Sequence, residues 1–452
     1  LAPPSIDAGT LRILASTSNG NAGSFTEQLR SLTTDQLLGR PAIALPARGG
    51  QTARAILERV TRPLREPHTE LLHRLATAPL HLRTSVTHWA DEADDHLQEL
   101  IDLDVVGESG QFVAIHHLPV RSAVLSTLPP SRRRTLHEQL RERADPVLHA
   151  WHESWIDPTR DLTRELLDAA HELARTGHVY SCVELTERAL RLGAEGLADP
   201  LARISDRLLI AGEFDLAERY LRWAASDSTA DAATRMLIAT VRLRVDFIAG
   251  RVAEVALDEL RDAPDDARAR WSATHAAILA ARGETTPAYD ASVPPLPRID
   301  HTETDPLHLV FHARAAILAH DYAHARRLID RLGTVLVRES PMWSGWVTAL
   351  AVDCNMRAGH IGAAFETARQ WSLQEHTTVG PASFVPLEVW ALLADGQLTT
   401  AEEILESWTA DAPSRVGPLA AASGIALHAE LASLRGDEDR ACELLQIADT
   451  VG

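Results

Sequence analysis

Four histidines, His308, His312, His320 and His324, stand as two i,i+4 pairs, the spacing that puts two imidazoles on one helix face as zinc ligation requires. No carboxylate or thiolate accompanies them in a fixed register, and a chain with 21 histidines produces such pairs by chance, so no metal is expected. His149 and His152 bracket Trp151, with Trp155 one turn further on, a grouping suited either to an aromatic ligand or to packing at a junction. Packing is the expectation, with each indole N–H satisfied locally. The run Arg132-Arg133-Arg134 has the charge to meet a phosphate, but Glu138 and Glu142 follow at helical spacing, so pairing on a solvated face is expected instead. The chain contains no lysine at all; every one of its 44 basic residues is arginine. A phosphate loop of the Walker type and Schiff-base chemistry both need a lysine. There is also no nucleophile elbow, no HExxH and no glycine-rich phosphate loop. The expectation is therefore a chain that is not an enzyme, holds no cofactor of its own and binds no ATP tightly.

What positions side chains in this sequence is a repeat. An apolar helix, a turn residue, a mostly apolar residue at +2 and a small one at +5 recur at Gly177, Gly212, Gly250, Gly283, His320, Gly359, Gly396 and Gly436, with spacings of 35, 38, 33, 37, 39, 37 and 40. The +2 residues run Val179, Phe214, Val252, Thr285, Tyr322, Ile361, Leu398 and Glu438, and the +5 residues Cys182, Ala217, Val255, Ala288, Ala325, Ala364, Ala401 and Ala441. Glycine ends a helix by entering the left-handed region, the +2 side chain tucks under the hairpin, and a small residue one turn later lets the two backbones approach. Helix pairs of this length that bury one face against their neighbours make a tetratricopeptide-like solenoid. The unit at Gly283 is expected to be distorted, because Pro287 and the run Val293-Pro294-Pro295-Leu296-Pro297 interrupt it.

The repeat also selects candidate binding residues. Six positions before each turn stand His171, Asp206, Arg244, Ala277, Arg314, Asp353, Trp390 and Glu430, seven of them charged, polar or aromatic. Such a row on the first helices is either a solvated face or a recognition surface. On the second reading Arg244, Arg314, Asp353 and Trp390 are its centre and the ligand-binding candidates.

The first third differs. A helix over 25–38 is followed by Pro41, Pro46 and Gly49-Gly50, which mark a loop. Helices over 70–76 and 93–103 precede a hairpin over 105–115, and a further helix follows Pro129-Pro130 with Ser131 as its expected N-cap. Helix, helix, hairpin is the layout of a winged helix. The net charge of −19 opposes nucleic-acid phosphates, so structural coupling, without direct nucleic-acid binding, is the expected role. With 45% hydrophobic and 24% charged residues the chain is globular, and no run of about 18 apolar residues is present to cross a membrane. Three scattered cysteines without a CxxC fit a reducing, cytoplasmic compartment. The start at Leu1, with Met236 as first methionine, is expected of a chain that is processed or part of a longer protein.

Against this background Val113-Ala114-Ile115-His116-His117-Leu118-Pro119-Val120-Arg121-Ser122-Ala123-Val124, then Pro129-Pro130-Ser131-Arg132-Arg133-Arg134, His137 and Ala150-Trp151-His152, resembles the connector region of the large LuxR-type STAND ATPase regulators of actinobacteria. Ser18-Asn19-Gly20-Asn21-Ala22 and Leu32-Thr33-Thr34-Asp35-Gln36-Leu37-Leu38-Gly39 are similar to elements near the end of that family's ATPase module. The resemblance implies a mainly α chain in three parts. Residues 1–62 would be the tail of an ATPase or lid module with a linker, 63–145 a small winged-helix-like connector, and 146–452 a tetratricopeptide-like sensor. It further implies ATPase and helix-turn-helix modules outside this chain, and an effector or partner protein received by the repeats. A freestanding repeat adaptor that binds only proteins is the alternative.

Overall fold

The computed structural model describes residues 6–47, 49–89, 92–193, 195–248, 264–282, 306–335, 341–372, 385–411 and 418–451. The turns at Gly250 and Gly283, their partners Val252, Val255, Thr285 and Ala288, Pro287, and the proline run 293–297 lie outside the described residues. The chain is mainly helical and divides into two units, one of residues 1–209 and 213–230, the other of 210–212 and 231–452.

The first unit begins with α1 (Ala8–Ser18), α2 (Ala22–Ser31), α3 (Thr34–Leu37), α4 (Gln51–Thr61) and α5 (Glu66–Leu75). The helix expected over 25–38 is broken in two. Leu32 is extended, and Thr33 opens α3 with a capping box to Gln36. Residues 51–61, which follow the loop marked by Pro41, Pro46 and Gly49-Gly50, form α4, whose half-buried Ile56, Leu57 and Val60 pack on a core.

Next come β1 (His81–Leu82), α6 (Arg83–Val86), α7 (Ala93–Asp102), β2 (Val106–Ser109) and β3 (Phe112–Ile115). The three strands are antiparallel in the order β1-β3-β2, with Val106 opposite Ile115 and Ser109 opposite Phe112. The expected hairpin is therefore present. β1 was not foreseen, because two residues carry no periodicity. Period-two alternation buries Val113 and Ile115 against Leu72, Leu75, Leu97 and Leu100. Then follow α8 (Leu118–Thr127) and α9 (Pro130–Arg141). The α9 cap is Pro129, not Ser131: Pro130 takes the first helical position, where its missing N–H costs nothing.

Helices α10 (Pro146–Ile156), α11 (Thr163–Arg175), α12 (Val179–Leu192), α13 (Ala198–Ile210) and α14 (Phe214–Ser226) complete this part of the chain. A buried ionic network ties α1 to the repeats. The Arg219 guanidinium, fully buried on α14, donates through Nε to Glu187 at 2.9 Å and through Nη1 to the Thr10 hydroxyl at 3.1 Å. Glu187 also accepts from the Ile43 amide at 2.5 Å and the Tyr220 hydroxyl at 3.1 Å. Further along, the buried Arg121 of α8 bonds Glu184 of α12 at 2.5 Å and the Ala76 carbonyl at 2.9 Å. Charges removed from water must be paired in this way.

The second unit holds α15 (Ala232–Ile248), α16 (Asp265–Arg282), α17 (Pro306–Leu318), α18 (Tyr322–Val335), α19 (Pro341–Arg357), α20 (Ile361–Ser372), α21 (Val385–Ala394), α22 (Leu398–Asp411), α23 (Pro418–Leu434) and α24 (Glu438–Val451).

Every turn residue of the repeat within the described residues is left-handed: Gly177, Gly212, Gly359, Gly396 and Gly436 at φ between 77° and 83°, and His320 at 62°. The residue after each turn donates its amide to the carbonyl five positions back, as His360 does to Asn355 at 2.8 Å and Gln397 to Leu392 at 2.9 Å, which satisfies the helix end. The same residue then accepts the first bond of the second helix from the +5 amide, Ala364 to His360 at 3.0 Å. Cys182, Ala217, Ala325, Ala364 and Ala401 are fully buried, and Ala441 nearly so. At +2 the apolar residues are half-buried, and Glu438 is exposed. This is a tetratricopeptide-like run of helical hairpins. No helix among the described residues is long and apolar enough to cross a membrane.

Candidate functional site

The row six positions before the turns starts with His171 on α11 and Asp206 on α13, and within the second unit it is carried by the first helices α15, α16, α17, α19, α21 and α23, so residues of equal register line up across neighbouring hairpins there. Asp353 of α19 is buried, at 5% exposure. Its carboxylate accepts the Nε–H of Arg357 at 2.7 Å, and its other oxygen lies 3.6 Å from Nη1 of Arg314 on α17. The Arg357 guanidinium in turn sits 5.9 Å from the centroid of the Trp390 ring on α21, within reach of a cation–π contact. Arg314, Asp353 and Trp390, chosen from the sequence by register alone, are thus drawn together through a fourth side chain.

That fourth residue, Arg357, was missed. Its signal was available: it stands four residues after Asp353, on the same helix face, at the start of the turn. Burial holds the Arg314 guanidinium below its usual range, Asp353 opposes that, and the positive charge of Arg357 adds to it. Trp390 is half-buried and packs on two apolar clusters, one with Leu392, Leu393 and Leu405, the other with Val352 and Ala364. Arg244 of α15 is buried, at 3% exposure, and offers no open surface. Elsewhere in the row, Glu430 of α23 is exposed, with its carboxyl raised by partial burial.

The other constellations fall to packing. The Trp151 indole is buried and donates to the Thr77 carbonyl at 2.8 Å. His152 Nδ1 lies 3.0 Å from His137 Nδ1, and the His137 ring stacks on Trp155. The guanidinium carbon of Arg188 stands 4.1 Å from the Trp155 ring centroid. Desolvation drives His137, and His81 beside it, down to about 3. In the arginine run, Arg134 pairs with Glu138 at 3.1 Å as expected, whereas Arg132 reaches Glu70 of α5 at 2.7 Å. His320 is exposed at its turn, with Nδ1 2.7 Å from the Tyr322 hydroxyl, while His312 is buried. The His308 side chain lies outside the described residues, and among those described no group of three metal-ligating side chains occurs.

No protein-family model matches the chain, and no curated protein matches its sequence. Among solved structures it is similar to a signal transduction ATPase with numerous domains, a STAND protein with a tetratricopeptide repeat sensor, from Pyrococcus horikoshii. Identity to that protein is 13%, over 98% of this chain and 71% of the other, with a TM-score of 0.31.

Proposed function

We propose that this chain is the connector and sensor region of a LuxR-type STAND regulator, and that its helical repeats receive an effector or partner protein on the row of first-helix side chains. The observation that carries the reading is the half-open cluster in which one buried carboxylate, Asp353, gathers arginines from two successive first helices beside an indole on a third. A scaffold needs only apolar register to stack such hairpins. Charged groups that converge at the solvent edge of rigid helices suit recognition, because a few preorganised anchors supply most binding energy. In this reading β1 to β3 with α5, α6 and α7 form a winged-helix-type connector that couples modules and does not read DNA. The chain itself performs no catalysis, and it works in the cytoplasm.

The test is a thermal-shift screen of metabolites and peptides on the full chain, followed by calorimetry of each hit on Arg314→Ala and Trp390→Leu. Each substitution should weaken effector binding by roughly 1–3 kcal/mol, the range for truncating an anchor. Arg314→Ala should leave melting almost unchanged, since Asp353 retains Arg357 and a partly exposed pair is worth about 0–1 kcal/mol. Trp390→Leu keeps the apolar packing that Trp390→Ala would lose. Hits that bind both variants as tightly as the parent chain would refute the reading.

A further inference from the structure

Between α1, α12 and α14, all in the first unit, lies a cavity of about 150 Å³. The buried Ile13, Val183 and Leu216 and the half-buried Val179 give it apolar walls. Ser16, Tyr180 and Glu213 bring the polar atoms. A space of this volume takes one benzene-sized ring and is too small for a drug-sized molecule.

The polar groups select what the ring carries. Neither the Ser16 nor the Tyr180 hydroxyl makes a hydrogen bond among the described residues, and each can both donate and accept. Burial pushes the Tyr180 phenol up, so it keeps its proton at neutral pH. Glu213 is engaged otherwise. It stands at the start of α14 without capping it, and its two carboxylate oxygens accept from Nε and Nη2 of Arg12, both at 2.5 Å. An anion in the cavity would meet this carboxylate, and a cation would have to win it from a two-pronged guanidinium. An uncharged ring with a hydroxyl meets neither obstacle and satisfies the two unpaired hydroxyls.

We infer that this cavity is a binding site for a phenol-type ligand, with the ring among Ile13, Val183 and Leu216 and its hydroxyl bonded to Tyr180 and Ser16. The occupant would fasten α1 to the second helices of the first two hairpins. No lining residue belongs to the first-helix row, so the inference stands whether or not that row receives an effector. Such a phenol is either a free small molecule or the tyrosine side chain of a partner.

Titration of the full chain by saturation-transfer NMR with phenol, benzoate and benzylammonium tests the chemistry. Phenol should bind with a Kd on the order of millimolar, as a small fragment allows, and the two ions at least about tenfold more weakly. Val179→Phe fills the cavity from its α12 side. The next hairpin carries Phe214 at the same offset from its turn, so this register accepts the larger ring. The variant should melt as the parent chain does and lose at least about tenfold in phenol affinity. Tyr180→Phe removes only a hydroxyl and should weaken phenol roughly threefold to tenfold, the range for one neutral hydrogen bond, with melting unchanged. N-acetyltyrosinamide separates the two sources: tighter binding than phenol marks a partner's tyrosine, weaker binding a free phenol. Absence of saturable phenol binding, ions that bind as tightly as phenol, or phenol binding that survives Val179→Phe in a normally melting chain overturns the proposal. If Val179→Phe does not fold, Tyr180→Phe decides, and an unchanged phenol affinity in that variant overturns it.

Discussion

The turn residues of the hairpins invite a pair of opposed substitutions, His320→Gly and Gly359→Ala. Both positions sit in the left-handed region, at φ 62° and 78°. A residue with a Cβ suffers there from the following carbonyl, at roughly 1–2 kcal/mol. At Gly359 a Cβ would meet no atom within 4 Å, so steric contact with neighbours adds nothing and the cost is conformational alone. Against that cost, alanine restricts the unfolded chain and returns about 0.4–1 kcal/mol. Gly359→Ala should therefore destabilise by roughly 1 kcal/mol, and His320→Gly should stabilise by a similar amount, less a few tenths for the exposed contact of His320 Nδ1 with the Tyr322 hydroxyl. For a unit of this size the melting shift is about 2–4 °C in each direction. Native-state hydrogen exchange gives the sharper readout, because the amides of His360 and Ala364 bridge the turn and should exchange about fivefold faster in Gly359→Ala, the factor for roughly 1 kcal/mol. If His320→Gly destabilises, the imidazole holds that turn and the backbone argument is wrong. If Gly359→Ala costs more than about 3 kcal/mol, the open space around it is filled by something this geometry does not contain.

Three more outcomes follow from the packing. Ala364→Leu places three more carbons at a fully buried hairpin contact and should cost about 1–3 kcal/mol by overpacking, read as a lowered melting temperature; an unchanged value would mean the two backbones are not in close approach. Arg219→Ala leaves the Glu187 carboxylate buried and short of its ion-pair partner, at a cost of about 3–5 kcal/mol, and added Glu187→Gln should recover part of it; an additive double variant in urea unfolding would show that the two are not coupled. His81 and His137, at about 3, and His152, held well below its usual value by burial, are neutral in the folded chain, whereas their unfolded forms protonate near pH 6.5. The unfolded state thus binds more protons below that pH. Their contribution is whole above 6.5 and each histidine removes about 1.4 kcal/mol per pH unit as the pH falls toward 3. A urea midpoint that is flat from pH 7.5 to 5 would contradict their burial.

The sequence by itself determined the hairpins. A left-handed turn, a satisfied helix end and a close backbone approach each demand a residue type at one offset, so Gly359 and Ala364 announce the turn without any knowledge of the neighbours. The β2–β3 hairpin was legible for the same reason, since alternation and Gly110 are local signals. The break between α2 and α3, the helix α4 and the short strand β1 were not, because each depends on what packs against it. The candidate site divides along the same line. Register placed Arg314, Asp353 and Trp390 on corresponding faces of successive helices, and that much is arithmetic. That Asp353 is buried, that it holds Arg357 and that Arg244 is withdrawn from solvent was decided by tertiary structure alone. Burial sets the strength and partners of a charge, and burial is a property of the neighbouring helices, which no spacing along one helix records.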